Sequence, residues 1–279
     1  MTAAAIREPS VDYARGLARA FGGALLFAFP LLMTMEMWFL GFTLDPLRLI
    51  LFVLLSLPLI YGLAYYSGFR SAQTFRDHLL DALSALFVGF VVAVGLLALF
   101  GVIGPGQPPD EIAGKIALQT VPGAMGATLA RKQLAGRDGA AAPDPIEEAD
   151  HRAGYLSELF LMSAGALFVV LNVAPTEEMV LISYMMSPWQ TLGLIVLSLG
   201  VLHAIVYTLG FAGQHPHERP WLAFIHFTVP GYVLVLAVGL YVQWTFGHVE
   251  GHGAAPLLAT TVVLAFPGAI GAGAARLLI

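Results

Sequence analysis

Long apolar runs broken by short polar islands set the pattern of this chain. A helix needs about 20 mostly apolar residues to cross hydrocarbon. Such runs fall at roughly 20–43, 47–68, 79–103, 112–132, 157–185, 189–211, 221–246 and 256–278. They are continuous, whereas the strands of a transmembrane barrel alternate over segments of about ten residues. The pattern therefore predicts an all-α, polytopic helical membrane protein with eight transmembrane helices. The fourth run is the weakest, diluted by Lys115, Gln119 and Pro122.

The pattern also repeats itself. Residues 23–69 align without a gap on 165–211 at an offset of 142. Gly23-Ala24-Leu25 falls on Gly165-Ala166-Leu167, and Thr34, Glu36 and Met37 fall on Thr176, Glu178 and Met179. Pro46 falls on Pro188, and Tyr65, Gly68 and Phe69 fall on Tyr207, Gly210 and Phe211. Val121–Ala127 matches Phe266–Ala272 at an offset of 145, which strengthens the weak fourth span. The expected organisation is a four-helix repeat over 1–133, a cytoplasmic linker over 134–152 and a second four-helix repeat over 153–279. An even number of spans per copy makes this a parallel repeat, with a pseudo-two-fold axis along the membrane normal.

Composition fits that reading. The chain is 58% hydrophobic and 11% charged, against about 25% charged in soluble globular proteins. It has no cysteine, which excludes disulfides, thiolate metal sites and cysteine nucleophiles. The first apolar run is longer than a signal-peptide core and no small-residue cleavage site follows it, so the N-terminus reads as uncleaved. Eight spans put both termini on one side. That side carries eleven of the 13 basic residues, and only Arg48 and Lys115 lie on the other. The positive-inside rule then places both termini and the linker in the cytoplasm of a bacterial-type inner membrane.

Each copy keeps a glutamate inside an apolar run. Glu36 and Glu178 each lie about 12 Å below the outer boundary at 1.5 Å per residue. An ionised carboxylate in hydrocarbon is costly, so a retained pair is a functional-site hypothesis. Glu177, Thr34, Thr176 and Asn172 lie close in sequence, and Pro30 and Pro175 each free a backbone carbonyl that can help hold a cation. If the axis brings the two copies together, the two glutamates face each other in the bundle interior, where they would share a proton or bind a cation. The bland reading is that they hydrogen-bond neighbouring helices, or lie near enough to the interface to be wet.

Asp81, His203 and His226 lie toward the cytoplasmic side and suggest the inner half of a proton path. None has an acid or histidine at the matching position, which favours plain helix–helix hydrogen bonding. The small residues of Pro122–Ala127 and Pro267–Ala272 fit close helix packing and follow no strand, so they form no phosphate loop. His215 and His217 in one loop, and His248 and His252 in another, read as surface histidines. No catalytic nucleophile, cofactor motif or nucleic-acid patch is present, so no enzyme activity and no cofactor are expected.

The duplicated Thr-x-Glu-Met at 34–37 and 176–179 and the two Pro-Gly-Ala-x-Gly-Ala motifs resemble a little-characterised family of bacterial integral membrane proteins with no assigned function. That resemblance covers most of the chain and carries over no activity and no functional residue. Two readings stand on the residues themselves. One is a cation channel or proton-coupled transporter, with the lipid bilayer and a small cation or proton as partners. The other is a membrane scaffold or assembly factor whose intramembrane polar residues are structural.

Overall fold

Proline and small polar caps punctuate the helices. The computed structural model describes residues 9–66, 74–133, 154–209 and 220–278. The expected linker, with Arg7, Arg70, Arg137, Arg152, Arg219, His215 and His217, lies outside the described residues. Among those described there is no strand. The helices are α1 Pro9–Leu32, α2 Met35–Thr43, α3 Pro46–Tyr66, α4 Phe75–Leu99, α5 Pro109–Gln133, α6 Tyr155–Val173, α7 Glu178–Met185 and α8 Pro188–Leu209. Then α9, Pro220–Ala223, runs through a π-helical turn at Phe224–Thr228 into α10, Val229–Thr245, and α11 spans Ala254–Leu278.

Five of these helices begin on proline, whose fixed φ and missing N–H suit a first helical position. Asp45 caps α3, its Oδ1 accepting from the N–H of Leu47 at 2.9 Å. Ser187 caps α8 in a reciprocal box. Its N–H donates to Gln190 Oε1 at 2.8 Å, and the N–H of Gln190 donates to Ser187 Oγ at 3.4 Å. Such caps contribute about 1 kcal/mol each. The far ends of α4 and α10 close alike. Gly101 and Gly247 take φ of 70° and 80°, which glycine adopts without strain. The next N–H returns to the helix at each, Val102 to Leu97 O at 2.8 Å and His248 to Gln243 O at 2.9 Å.

Seven described helices are long and apolar enough to cross a membrane, among them Ala14–Leu32, Tyr155–Val173 and Ala254–Ala275. The eighth expected span forms a helix of 25 residues, α5. It is not among the seven, because Asp110, Glu111, Lys115 and Gln119 dilute its first half.

The chain divides into two compact units. One is Met1–Met33 with Val53–Gly139, and the other is Thr34–Phe52 with Ala140–Ile279. In the first unit small residues fill the core, with Ala20, Ala24, Ala28, Ala82, Ala85, Ala124 and Ala127 packed around Ile60, Val88 and Val92. A Cβ on Gly126 of α5 would strike the carbonyl oxygen of Gly23 in α1. In the second unit Ala166, Ala265, Ala269 and Ala272 pack with Met162, Leu202, Phe227 and Val235. There a Cβ on Gly271 of α11 would strike the carbonyl oxygen of Gly165 in α6. Close backbone approach through small residues is how helices associate where lipid removes the hydrophobic driving force. The outward residues are large and apolar, with Leu26, Phe87, Leu99, Trp189 and Val196 all exposed.

Candidate functional site

Each glutamate follows a break in its helix. The runs 20–43 and 157–185 are expected to be single spans, but both are interrupted. α1 stops at Leu32, Thr34 is extended at φ −98° and ψ 121°, and α2 starts at Met35. α6 stops at Val173 and α7 starts at Glu178. Proline explains the second break. Pro175 has no N–H, so the carbonyl of Leu171 loses its usual donor four residues on. The N–H of Thr176 turns to Val173 O at 3.2 Å and its hydroxyl donates to the same oxygen at 2.9 Å. Ala174 and Pro175 are buried in the second unit. Irregular backbone at membrane depth survives only where protein buries it or where it lines a cavity.

The breaks place both carboxylates in the first turn of a short helix. A negative charge there is stabilised by the unpaired N–H groups and the helix dipole, by about 0.3–1 kcal/mol. Glu36 is half-buried, while Glu177 and Glu178 are exposed. Glu178 was expected to face the bundle interior, and within the second unit it is exposed. The expectation assumed one continuous helix, whereas the break re-aims every side chain after Val173. No hydrogen bond or ion pair joins Glu36 to Glu178 among the described residues. Asn172 closes the last turn of α6. Its Nδ2 donates to Phe168 O at 2.7 Å, while its Oδ1 is buried and accepts no hydrogen bond among the described residues.

His203 is bonded within the second unit. Nδ1 of His203, in α8, lies 3.0 Å from Thr228 Oγ1 in the π-helical turn, and its ring packs on Phe224. That is the helix–helix hydrogen bond of the bland reading. His226 sits exposed on the same turn, and Asp81 is half-buried in α4 of the other unit. Pro230 accounts for the turn. With no N–H at 230, the ladder shifts and the N–H of Val229 bonds Phe224 O.

Several buried polar residues were not anticipated as site candidates. His78 packs against Tyr61 and Tyr65, with ring centroids 6.3 and 4.9 Å away. Gln119 is 2% exposed, and both of its amide atoms are unpartnered among the described residues. Glu158 is 3% exposed in the first turn of α6. Gln243 donates to Thr261 Oγ1 at 2.9 Å, and Ser183 shares a hydrogen bond of 2.8 Å with Thr260. In sequence, Gln119 read only as dilution of a span.

The two basic residues expected on the sparse side each pair with an acid. Arg48 pairs with Glu250, donates to Trp244 O at 3.0 Å and lies 5.3 Å from the Trp244 ring centroid. Lys115 pairs with Glu111 and donates to Val102 O at 3.1 Å. Each cation thus serves the carbonyl end of a helix, α10 in one unit and α4 in the other, where the dipole favours positive charge. The expectation of surface histidines is met by His252, which is exposed, and less so by His248, which is half-buried. Burial lowers the pKa of His248, a charge on His252 lowers it further and Glu177 opposes both. No three His, Asp or Glu groups converge to hold a metal among the described residues.

A family comparison decides the class. A family described as "Putative integral membrane protein (DUF2391)" matches residues 16–279. The chain belongs to this family. With seven apolar helices of spanning length, a DUF2391 chain of this kind is an integral, multi-pass membrane protein that contacts the lipid bilayer. No curated protein and no solved structure matches it.

Proposed function

We propose that the protein moves a small cation or a proton across a bacterial-type inner membrane, as a channel or a proton-coupled carrier. The observation that carries this reading is the interruption of two helices at matching positions, each followed at once by a glutamate. Discontinuous helices with freed carbonyls are the usual means of holding an ion at membrane depth. In this reading Glu36 and Glu178 are two sites, one per break, and Glu177, Thr34, Thr176 and Asn172 support them. The role is not enzymatic and uses no cofactor.

The architecture proposed with it is eight spans in two parallel four-helix repeats, both termini cytoplasmic. Support comes from the shared caps at Asp45 and Ser187, the shared glycine closures at Gly101 and Gly247, and the shared glycine contacts.

A scaffold is the second reading, favoured by the bonds His203–Thr228, Ser183–Thr260 and Gln243–Thr261, which tie helices together. Glu36→Gln and Glu178→Gln, each reconstituted in liposomes, separate the two. Transport expects flux to be lost with unchanged thermal stability. The scaffold expects no flux in any form and a shifted melting temperature in detergent.

A further inference from the structure

We propose that Glu111, Lys115 and Gln119 of α5 line a hydrated, dead-end pocket in the first unit, with water as its ligand. The three residues are four apart and form one stripe on one face of the helix. The stripe dries inward. The side chain of Glu111 is 22% exposed and that of Lys115 6%, and Gln119 is 2% exposed. Protein partners fill the outer end. Lys115 pairs with Glu111 and donates to Val102 O at 3.1 Å, and Gln107 Nε2 donates to the same oxygen at 3.2 Å. The inner end differs. The amide oxygen and nitrogen of Gln119 are both buried and make no hydrogen bond among the described residues.

Beyond Gln119 the same face continues as Gly123 and Gly126, which close the bottom. A Cβ on Gly123 would lie 3.1 Å from Gly89 Cα in α4, and one on Gly126 would strike the carbonyl oxygen of Gly23 in α1. Contacts of Gly89 with Gly123 and of Val102 with Lys115 show that α4 and α5 run in opposite directions. Ala93, four residues on from Gly89, therefore lies at the level of Gln119 and contributes only a methyl group there. The second unit carries no such stripe. At the offset of 145, Lys115 falls on Thr260 and Gln119 on Leu264. Thr260 is bonded to Ser183 and Leu264 is apolar, so these positions leave nothing for water to satisfy. A buried amide loses hydrogen bonds at both ends unless a new partner takes them. Water donates to the oxygen and accepts from the nitrogen, and buried waters sit on groups of this kind. In the eight-span reading α1 and α5 also run in opposite directions, which sets Gln119 level with residues 30–33, where α1 stops. As an access path for an ion the pocket rests on the transport reading, while as a hydrated pocket it does not.

The unaltered chain contains its own control. Gln243 of α10 is 1% exposed, but its amide nitrogen donates to Thr261 Oγ1 and Gly239 O. With isotope-labelled glutamine and the full chain in nanodiscs, water-edited solid-state NMR reads transfer from water to each side-chain amide. Gln119→Leu and Gln243→Leu assign the two signals by their loss. Transfer to Gln119 is expected to be several-fold faster than to Gln243, and equally slow transfer overturns the pocket. The lack of cysteine allows a second reading. Gln119→Cys and Leu118→Cys, both at buried positions, are treated with silver ion, and the remaining thiol is counted after unfolding. A dry thiol ionises less readily, and each unit of pKa is about tenfold in thiolate. The thiol at 119 is expected to be consumed about tenfold faster than the thiol at 118. Equal rates overturn the pocket. A dry Gln119 sinks the pocket and not the transport reading, and absent flux does the reverse.

Discussion

Replacing Gly271 with alanine tests the packing that holds the second unit together. The added Cβ would strike the carbonyl oxygen of Gly165 and lie 2.6 Å from Val169 Cγ2 and 3.0 Å from Val169 Cβ. The first obstacle is backbone, and the second is a β-branched side chain with one favoured helical rotamer. Neither moves without separating α6 from α11. Overpacking of this kind costs about 1–3 kcal/mol, and a backbone clash belongs at the upper end. Alanine's better helix propensity returns up to about 1 kcal/mol. The net expectation is a loss of about 2 kcal/mol, read by reversible SDS unfolding in mixed micelles. Gly200→Ala in α8 is the control, since a Cβ there meets nothing within 4 Å. It is expected to leave stability unchanged or slightly raised. Gly271→Ala within about 0.5 kcal/mol of the parent, or equal losses from both variants, would refute the reasoning.

Three further outcomes follow from the polar contacts and a fourth from the expected orientation. Folded His248 binds its proton less readily than unfolded His248, whose pKa is 6.5. Below that value the unfolded chain takes up the extra proton first, so stability falls as pH drops toward the folded value. The melting temperature is therefore expected to fall less between pH 7 and 5 in His248→Gln than in the parent. Lys115→Met leaves the half-buried Glu111 without its cation and is expected to cost about 3 kcal/mol. Arg48→Met, whose partner Glu250 is 71% exposed, is expected to cost about 1 kcal/mol in the same unfolding assay. A single cysteine placed in 134–152 is expected to react with an impermeant maleimide only from the cytoplasmic face.

The helices were legible because membrane spans announce themselves by length and apolarity. The glycine contacts were legible too, as small residues at Gly123–Ala127 and Gly268–Ala272. The breaks after Leu32 and Val173 were hidden, because an apolar run reads the same whether or not its ladder is interrupted. Pro175 was visible, but as a source of a free carbonyl and not as the end of a helix. The expected direction of Glu178 assumed a continuous helix, in which side-chain direction follows from spacing alone. The interhelical bonds of His203, Ser183 and Gln243 were unreadable for another reason. Each joins residues 18 to 77 positions apart, and nothing local in the chain marks the partner.

The central claim is that this family member carries ions at its two helix breaks. Its most direct test is flux through the purified chain in sealed liposomes, with sodium, potassium and proton gradients imposed in turn. The account expects at least one gradient to dissipate faster than in empty liposomes, with the rate lost in Glu36→Gln or Glu178→Gln. Flux equal to that of empty liposomes under every gradient, from protein shown to be folded and correctly inserted, would contradict it.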